Sequence, residues 1–152
     1  VDAATGSTSE QTVMRLHGLP EDAMLDMGDF AGAVLTYLRR HPIPRLTLGG
    51  GIAKFVKLGF GHLDLHSKRS QVDLPALADV AAQEGAPASL VEEIRTANTA
   101  LDALQRSQAA SFDLGGLVAR RARAAALDVL RGAPVEVDVV VIDRAGTIVG
   151  RA

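Results

Sequence analysis

Ile43-Pro44-Arg45-Leu46-Thr47-Leu48-Gly49-Gly50-Gly51-Ile52-Ala53-Lys54-Phe55-Val56-Lys57-Leu58-Gly59-Phe60 carries an apolar run, three glycines and a helical stripe in succession. Pro42 and Pro44 end a preceding helix, and Ile43 to Leu48 reads as a buried strand. The triple glycine closes that strand, and Ile52 to Phe60 resumes helical periodicity. Strand, glycines, helix is the α/β arrangement in which backbone amides can approach an anion or a cofactor.

The flanks agree with this. Toward the N-terminus, residues 1–6 read as the end of a strand turning at Gly6. Ser7 and Glu10 have the spacing of a capping box, which would satisfy two amides at a helix start. Val13, Met14, Leu16 and His17 continue that helix until Gly18 and Pro20. Glu21 to Leu25 reads as a short helical turn. A helix is expected from Asp29, its simplest N-cap, to Arg40, with Phe30, Val34, Leu35 and Leu38 at helical spacing. Toward the C-terminus, 61–72 is polar and irregular. Asp73 caps a helix of 74–84, with Pro75 in its first turn. One helix is expected from Ser89 to Ser107 and another from Asp113 to Leu130. Val135 to Ile142 is a β-branched run, Asp143 to Gly146 a turn, and Thr147 to Arg151 a returning strand. The expectation is a single α/β domain over 1–152, with a mixed, mostly parallel sheet, flanking helices and a C-terminal β-hairpin. Both ends fall at strands, so the domain is expected to belong to a longer chain.

Composition narrows the function. The chain has 152 residues, 47% of them apolar and 22% charged, which suits a globular domain. Aromatics are 3%, with no Trp and one Tyr, which argues against a base-stacking platform. The net charge of −2 supplies no field toward nucleic acid or an anionic membrane. There are no cysteines, which excludes disulfides, thiolate metal sites and Cys nucleophiles. No apolar run reaches membrane-spanning length.

Lys54, Lys57, Lys68 and Arg69 stand against one acid, Asp64, within residues 54–70, a local excess of +3 in a chain of net −2. That reversal of sign beside a glycine turn suits an anionic ligand, through charge-assisted hydrogen bonds. A solvated basic loop explains it equally. His62 and His66 are four apart and would share a helix face as a metal pair. The glycines around them favour a loop, where a histidine serves as hydrogen-bond donor, proton-transfer group or structural cap. Gly49-Gly50-Gly51 lacks the dinucleotide spacing, and no Walker motif occurs. Thr5-Gly6-Ser7-Thr8-Ser9 is a second possible anion cradle, although capping alone would explain it. Gly-x-Ser-x-Gly is absent, which disfavours a hydrolase triad from Ser67, His62 and Asp64.

Thr5-Gly6 with Ser9-Glu10, Met27-Gly28-Asp29-Phe30, Gly50-Gly51-Ile52-Ala53-Lys54, Lys57-Leu58, and Gly61-His62-Leu63-Asp64-Leu65-His66-Ser67-Lys68-Arg69-Ser70 with Val72-Asp73 resemble the CbiD family. These are cobalt-precorrin-5B C1-methyltransferases of anaerobic cobalamin biosynthesis. The likeness is specific in 50–73 and corresponds to the C-terminal part of a family member. It implies a cytoplasmic enzyme that moves a methyl group from S-adenosylmethionine to C1 of a cobalt-precorrin. The implied partners are its own N-terminal domain and other cobalamin-pathway enzymes, with no nucleic acid, no membrane and no protein-bound metal. The expected corrinoid-carboxylate ligands are Lys54, Lys57, Ser67, Lys68 and Arg69. His62 and His66 would orient the ring or move a proton. Thr5, Gly6, Ser7, Thr8, Ser9, Asp29, Gly49, Gly50 and Gly51 would line the cofactor side. The competing expectation is a non-catalytic domain that holds an anion or a partner with the same basic loop. Neutralising Lys68 and Arg69 together is expected to weaken corrinoid binding far more than cofactor binding, as read by titration with each ligand. Equal losses would count against the division of roles.

Overall fold

The computed structural model describes residues 1–4, 6–66 and 71–152. Five strands form one sheet: β1 (Asp2–Ala4), β2 (Met24–Asp26), β3 (Arg45–Gly51), β4 (Glu136–Ile142) and β5 (Ile148–Arg151), in the order β2-β1-β3-β4-β5. The first four are parallel, and β5 returns antiparallel to β4. The helices are α1 (Ser7–His17), α2 (Ala31–Arg40), α3 (Ile52–Gly59), α4 (Leu74–Gln83), α5 (Ala88–Arg95), α6 (Ala100–Ala109) and α7 (Leu114–Leu130). The mixed, mostly parallel sheet with a C-terminal hairpin is the architecture expected from the sequence.

Strand alternation sorts the core. Val137, Val139 and Val141 of β4 enter the main core with Phe55, Leu58, Leu117 and Ala122, under α2 to α7. Val140 and Ile142 point the other way and meet Val13 of α1. The chain steps from β1 outward to β2, then back past β1 to β3. Right-handed crossovers therefore place α1 and α2 on opposite faces. The direction reverses between β1 and β3, which is where such sheets open a crevice at their carboxyl ends.

The structure corrects five local expectations. The triple glycine is not a turn: Gly49, Gly50 and Gly51 are the last three residues of β3, paired with Val140, Val141 and Ile142. Seven residues of parallel ladder outweigh the weak strand propensity of glycine. Met24 to Asp26 is a strand rather than part of a helical turn, only Glu21–Ala23 being helical. The stripe read as one helix over 89–107 breaks in two, because Thr99 caps α6 afresh by accepting from the Asp102 amide at 3.0 Å. The Ser7–Glu10 capping box does not form. Gly6 is the N-cap of α1, and Ser9 Oγ donates to the Gly6 carbonyl at 2.8 Å. Asp29 does not cap α2 either, since Phe30 holds that position. Asp73 caps α4 as expected, accepting from the Ala76 amide, and Asp113, where the last helix was expected to start, caps α7 by accepting from the Gly116 amide.

Gly49 shows why a glycine is needed in mid-sheet. A Cβ there would lie 2.5 Å from Cγ2 of Val13, so any side chain would push α1 off the sheet. A Cβ at Gly51 would meet nothing within 4 Å. Gly49→Ala is expected to cost about 1–3 kcal/mol through overpacking, whereas Gly51→Ala should stay within about 0.5 kcal/mol of the parent. Urea denaturation of both variants checks this contrast.

Candidate functional site

Gly51 opens onto a crevice of about 370 Å³ at the carboxyl ends of β3 and β4. Its floor is Gly51, Ile52 and Ala53, where β3 passes into α3; one wall is Thr99, Ala100 and Leu101, the start of α6, and the other is Ile142, Asp143 and Arg144. The lining is largely apolar, with polar groups at the rim. The Asp143 carboxylate accepts from the amides of Ala145 and Thr147, both at 2.9 Å, and so holds the β4–β5 turn in shape. Arg144 stands exposed beside it. A second cavity of about 350 Å³ shares Ala53, Thr99 and Ala100 and continues past Lys57 to Gln71, Val72 and Leu74.

The α6 wall is fixed reciprocally. Thr99 Oγ1 accepts from Asp102 N, and Asp102 Oδ2 accepts from Asn98 N at 3.1 Å. The Asn98 amide, with Arg106 adding to it against the opposing effect of burial, holds the Asp102 carboxyl below its ordinary range. A lowered carboxyl adds stability above its unfolded value, and that stability is lost as pH falls through the folded value.

α1 reaches the same end of the sheet. Thr12 Oγ1 donates to the Gly146 carbonyl at 3.1 Å, so the first turns of α1 brace the turn that bounds the crevice. Gly6, Ser7, Thr8 and Ser9 therefore lie at the carboxyl end, as expected, while Gly49 is sealed beneath Val13. Gly50 is buried in the ladder, and of the three glycines only Gly51 lines the crevice.

The basic stretch is anchored differently from what charge alone suggests. Lys54 Nζ lies 3.0 Å from Oδ1 of Asp29, so one of its cations already faces a carboxylate. Lys57 is only 6% exposed, and its ammonium donates to the Leu65 carbonyl at 3.2 Å. The Leu65 amide in turn donates to the Asp29 carbonyl at 2.7 Å, and the Gly32 amide donates to the Leu63 carbonyl at 3.1 Å. Gly32 permits that approach, since a Cβ there would lie 2.7 Å from Leu63 Cβ. Residues 61–66 are thus stapled between α2 and α3. His62 is exposed, its amide donating to the Lys57 carbonyl at 3.0 Å. The His66 amide donates to Asp64 Oδ1 at 3.1 Å. Neither histidine is among the described residues that line the crevice. Thr5, Ser67, Lys68 and Arg69 lie outside the described residues. Among the described residues no three His, Asp or Glu side chains converge as a metal site requires, and no helix is long and apolar enough to cross a membrane.

The sequence reading missed the Thr99 wall and the Ile142-Asp143-Arg144 rim. Asn98-Thr99-x-x-Asp102 was a cap signal hidden inside a continuous apolar stripe. Asp143 to Arg144 read only as a turn.

Fold and crevice together define a doubly wound α/β domain with a crevice at the carboxyl ends of its parallel strands, where folds of this class place their ligands. The CbiD C-terminal domain model matches residues 64–152. Proteins named cobalt-precorrin-5B C(1)-methyltransferase from Brucella ovis, Brucella canis and Brucella melitensis biotype 2 are each 55% identical over 148 residues, which is 97% of this chain. The chain belongs to the CbiD family. It spans 40% of the length of those relatives. No solved structure matches it.

Two outcomes follow from this geometry. Lys57→Met keeps the stem but removes the donor to Leu65, and leaving that carbonyl unsatisfied should cost about 1–3 kcal/mol. Amide exchange at Gly32 and Leu65, the two amides that staple the loop, should rise first. Protection of the Asn98 amide relative to its intrinsic exchange should fall as pH drops below about 3.9, the ordinary aspartate value, and Asp102→Asn should flatten that dependence.

Proposed function

We propose that this chain is the C-terminal domain of a cytoplasmic S-adenosylmethionine-dependent methyltransferase acting on C1 of a cobalt-precorrin. The observation that carries the reading is 55% identity across 97% of the chain to relatives bearing that name. The geometry supports it in kind. A crevice of about 370 Å³ falls in the size range of small-ligand sites. Its apolar walls suit a nucleoside, the open space over Gly51 lets a ligand lie against backbone, and Arg144 offers a guanidinium to a carboxylate.

S-adenosylmethionine, when bound, supplies the methyl group: its S–CH3 bond breaks as the bond to C1 forms, and the sulfonium leaves as a neutral thioether. The protein's part is orientation and exclusion of water rather than a nucleophile. Gly51, Ala53 and Thr99 shape the cofactor side, and Asp143 keeps the rim closed by fixing its turn. The macrocycle is too large for the crevice and would lie across its mouth, its acetate and propionate groups toward Lys54, Lys68 and Arg69. Asp29 offsets part of the Lys54 charge, and Lys68 and Arg69 are the other cations proposed as anchors. Lys57, spent on Leu65, clamps the loop of residues 61–66. His62 and His66 lie on that loop, where they would orient the ring or move a proton. Because the chain spans 40% of its relatives, a second reading has this domain holding corrinoid carboxylates while the cofactor binds in the remainder.

Calorimetric titration of the 152-residue chain with S-adenosylhomocysteine separates the two. Micromolar binding is expected, weakened at least tenfold by Gly51→Val with the urea midpoint unchanged. A folded chain that binds nothing would overturn the placement of the cofactor and favour the second reading.

A further inference from the structure

Lys57 is buried without a counter-ion among the described residues. It is 6% exposed, and its one hydrogen bond there goes to the Leu65 carbonyl at 3.2 Å. A lysine ammonium carries three N–H donors, so the clamp on Leu65 uses one and leaves two. A carbonyl also brings no net charge, and a buried cation is costly until an anion faces it. The nearby acids are engaged elsewhere: Asp29 faces Lys54, and Asp64 accepts from the His66 amide. Lys57 also lines the cavity of about 350 Å³ that reaches Gln71, Val72 and Leu74, and no other charged residue lines it. This cavity shares Ala53, Thr99 and Ala100 with the crevice over Gly51, so the two adjoin along the start of α6. The first amides of that helix, at Ala100 and Leu101, have no acceptor within it, and its positive end faces the shared wall. Asp102, the acid of that turn, is held by the Asn98 amide and by Arg106.

We propose that this second cavity is a carboxylate subsite, with Lys57 as its charge and the first amides of α6 as flanking donors. A carboxylate on a short aliphatic stem suits it better than a phosphate. One cation balances one negative charge, no arginine lines the cavity to make a fork, and Ala53, Val72 and Leu74 offer apolar wall to methylene groups. Lys57 then does two things with one ammonium: it ties the loop of residues 61–66 to α3 through Leu65, and it presents its remaining donors to an acid. Both ligands of the proposed methyl transfer carry such a group, the cofactor at its amino-acid end and the macrocycle at its acid arms. The choice between these sources rests on that proposed function, whereas the subsite itself rests on Lys57 and the cavity.

The test is an NMR titration of the chain with propionate at constant ionic strength, with propionamide as the uncharged counterpart. Propionate is expected to give saturable shifts at the Lys57 side chain and at the Ala53 and Asn98 amides, and propionamide none. Lys57→Gln keeps a donor for Leu65 but removes the charge, and should weaken propionate about tenfold. Asn98→Asp leaves the clamp untouched and adds a negative charge to an exposed residue of the lining, and should weaken it about threefold. Equal responses to propionate and propionamide would overturn the proposal, as would full propionate affinity in both variants. S-adenosylhomocysteine and 5′-methylthioadenosine, which lacks the amino-acid end, separate the sources. If the cofactor supplies the carboxylate, the first ligand alone moves the Lys57 side chain and displaces propionate. If the macrocycle supplies it, propionate still binds when S-adenosylhomocysteine is saturating. Saturable propionate binding in a chain that binds no S-adenosylhomocysteine would count against the proposed function alone. S-adenosylhomocysteine binding without any preference for propionate over propionamide would count against the subsite alone.

Discussion

The close contact between Val13 of α1 and the glycine half of β3 is the constraint on which the rest of the molecule depends. α1 is the element that covers its face of the sheet, and its small core consists of Val13, Val140 and Ile142. That core closes only because Gly49 presents no side chain to Val13. The same run then has to remain strand through Gly51 to keep register with Ile142. Close helix packing at Gly49 and an open floor at Gly51 are thus two consequences of one glycine run. The first seats the helix, and the second leaves room for a ligand where the parallel strands end.

Around this frame, polar groups act mainly as fasteners. Asp143 spends its carboxylate on its own turn, Thr99 and Asp102 cap the α6 wall, and Thr12 ties α1 to Gly146. Lys57 is the most informative case. A buried ammonium is costly unless it is hydrogen-bonded, and here it finds the Leu65 carbonyl. A cation that looks like a ligand-binding group in the sequence therefore acts as a clamp on the loop that holds His62 and His66. With Lys54 facing Asp29, the basic excess of residues 54–70 is partly consumed within the fold.

The mixed, mostly parallel sheet, the long helices and the hairpin were legible because their signals are periodic and local. Asp73-Leu74-Pro75 and Asp113-Leu114 announce helix starts, and the valine run 135–141 announces a central strand. What failed was tertiary. Glycine propensity read Gly49 to Gly51 as a turn, but pairing with β4 overrode it. β2 is three residues long and carries no pattern of its own. The break at Asn98-Thr99 is invisible to hydrophobic spacing, because Ala97 and Leu101 continue the stripe across it. The crevice was half legible: Gly51 stood out, whereas the opposite wall comes from residues some fifty and ninety positions away that only the fold brings near.

The proposed ligand position is over Gly51, at the carboxyl end of the sheet. The most direct test is a heteronuclear NMR titration of the 152-residue chain with S-adenosylhomocysteine. The largest amide shifts are expected at Gly51, Ala53, Thr99 and Arg144, with little change at the opposite end of the strands. Shifts concentrated instead around Arg45, Arg123 and Val137, which line a separate cavity at the amino ends, would contradict it.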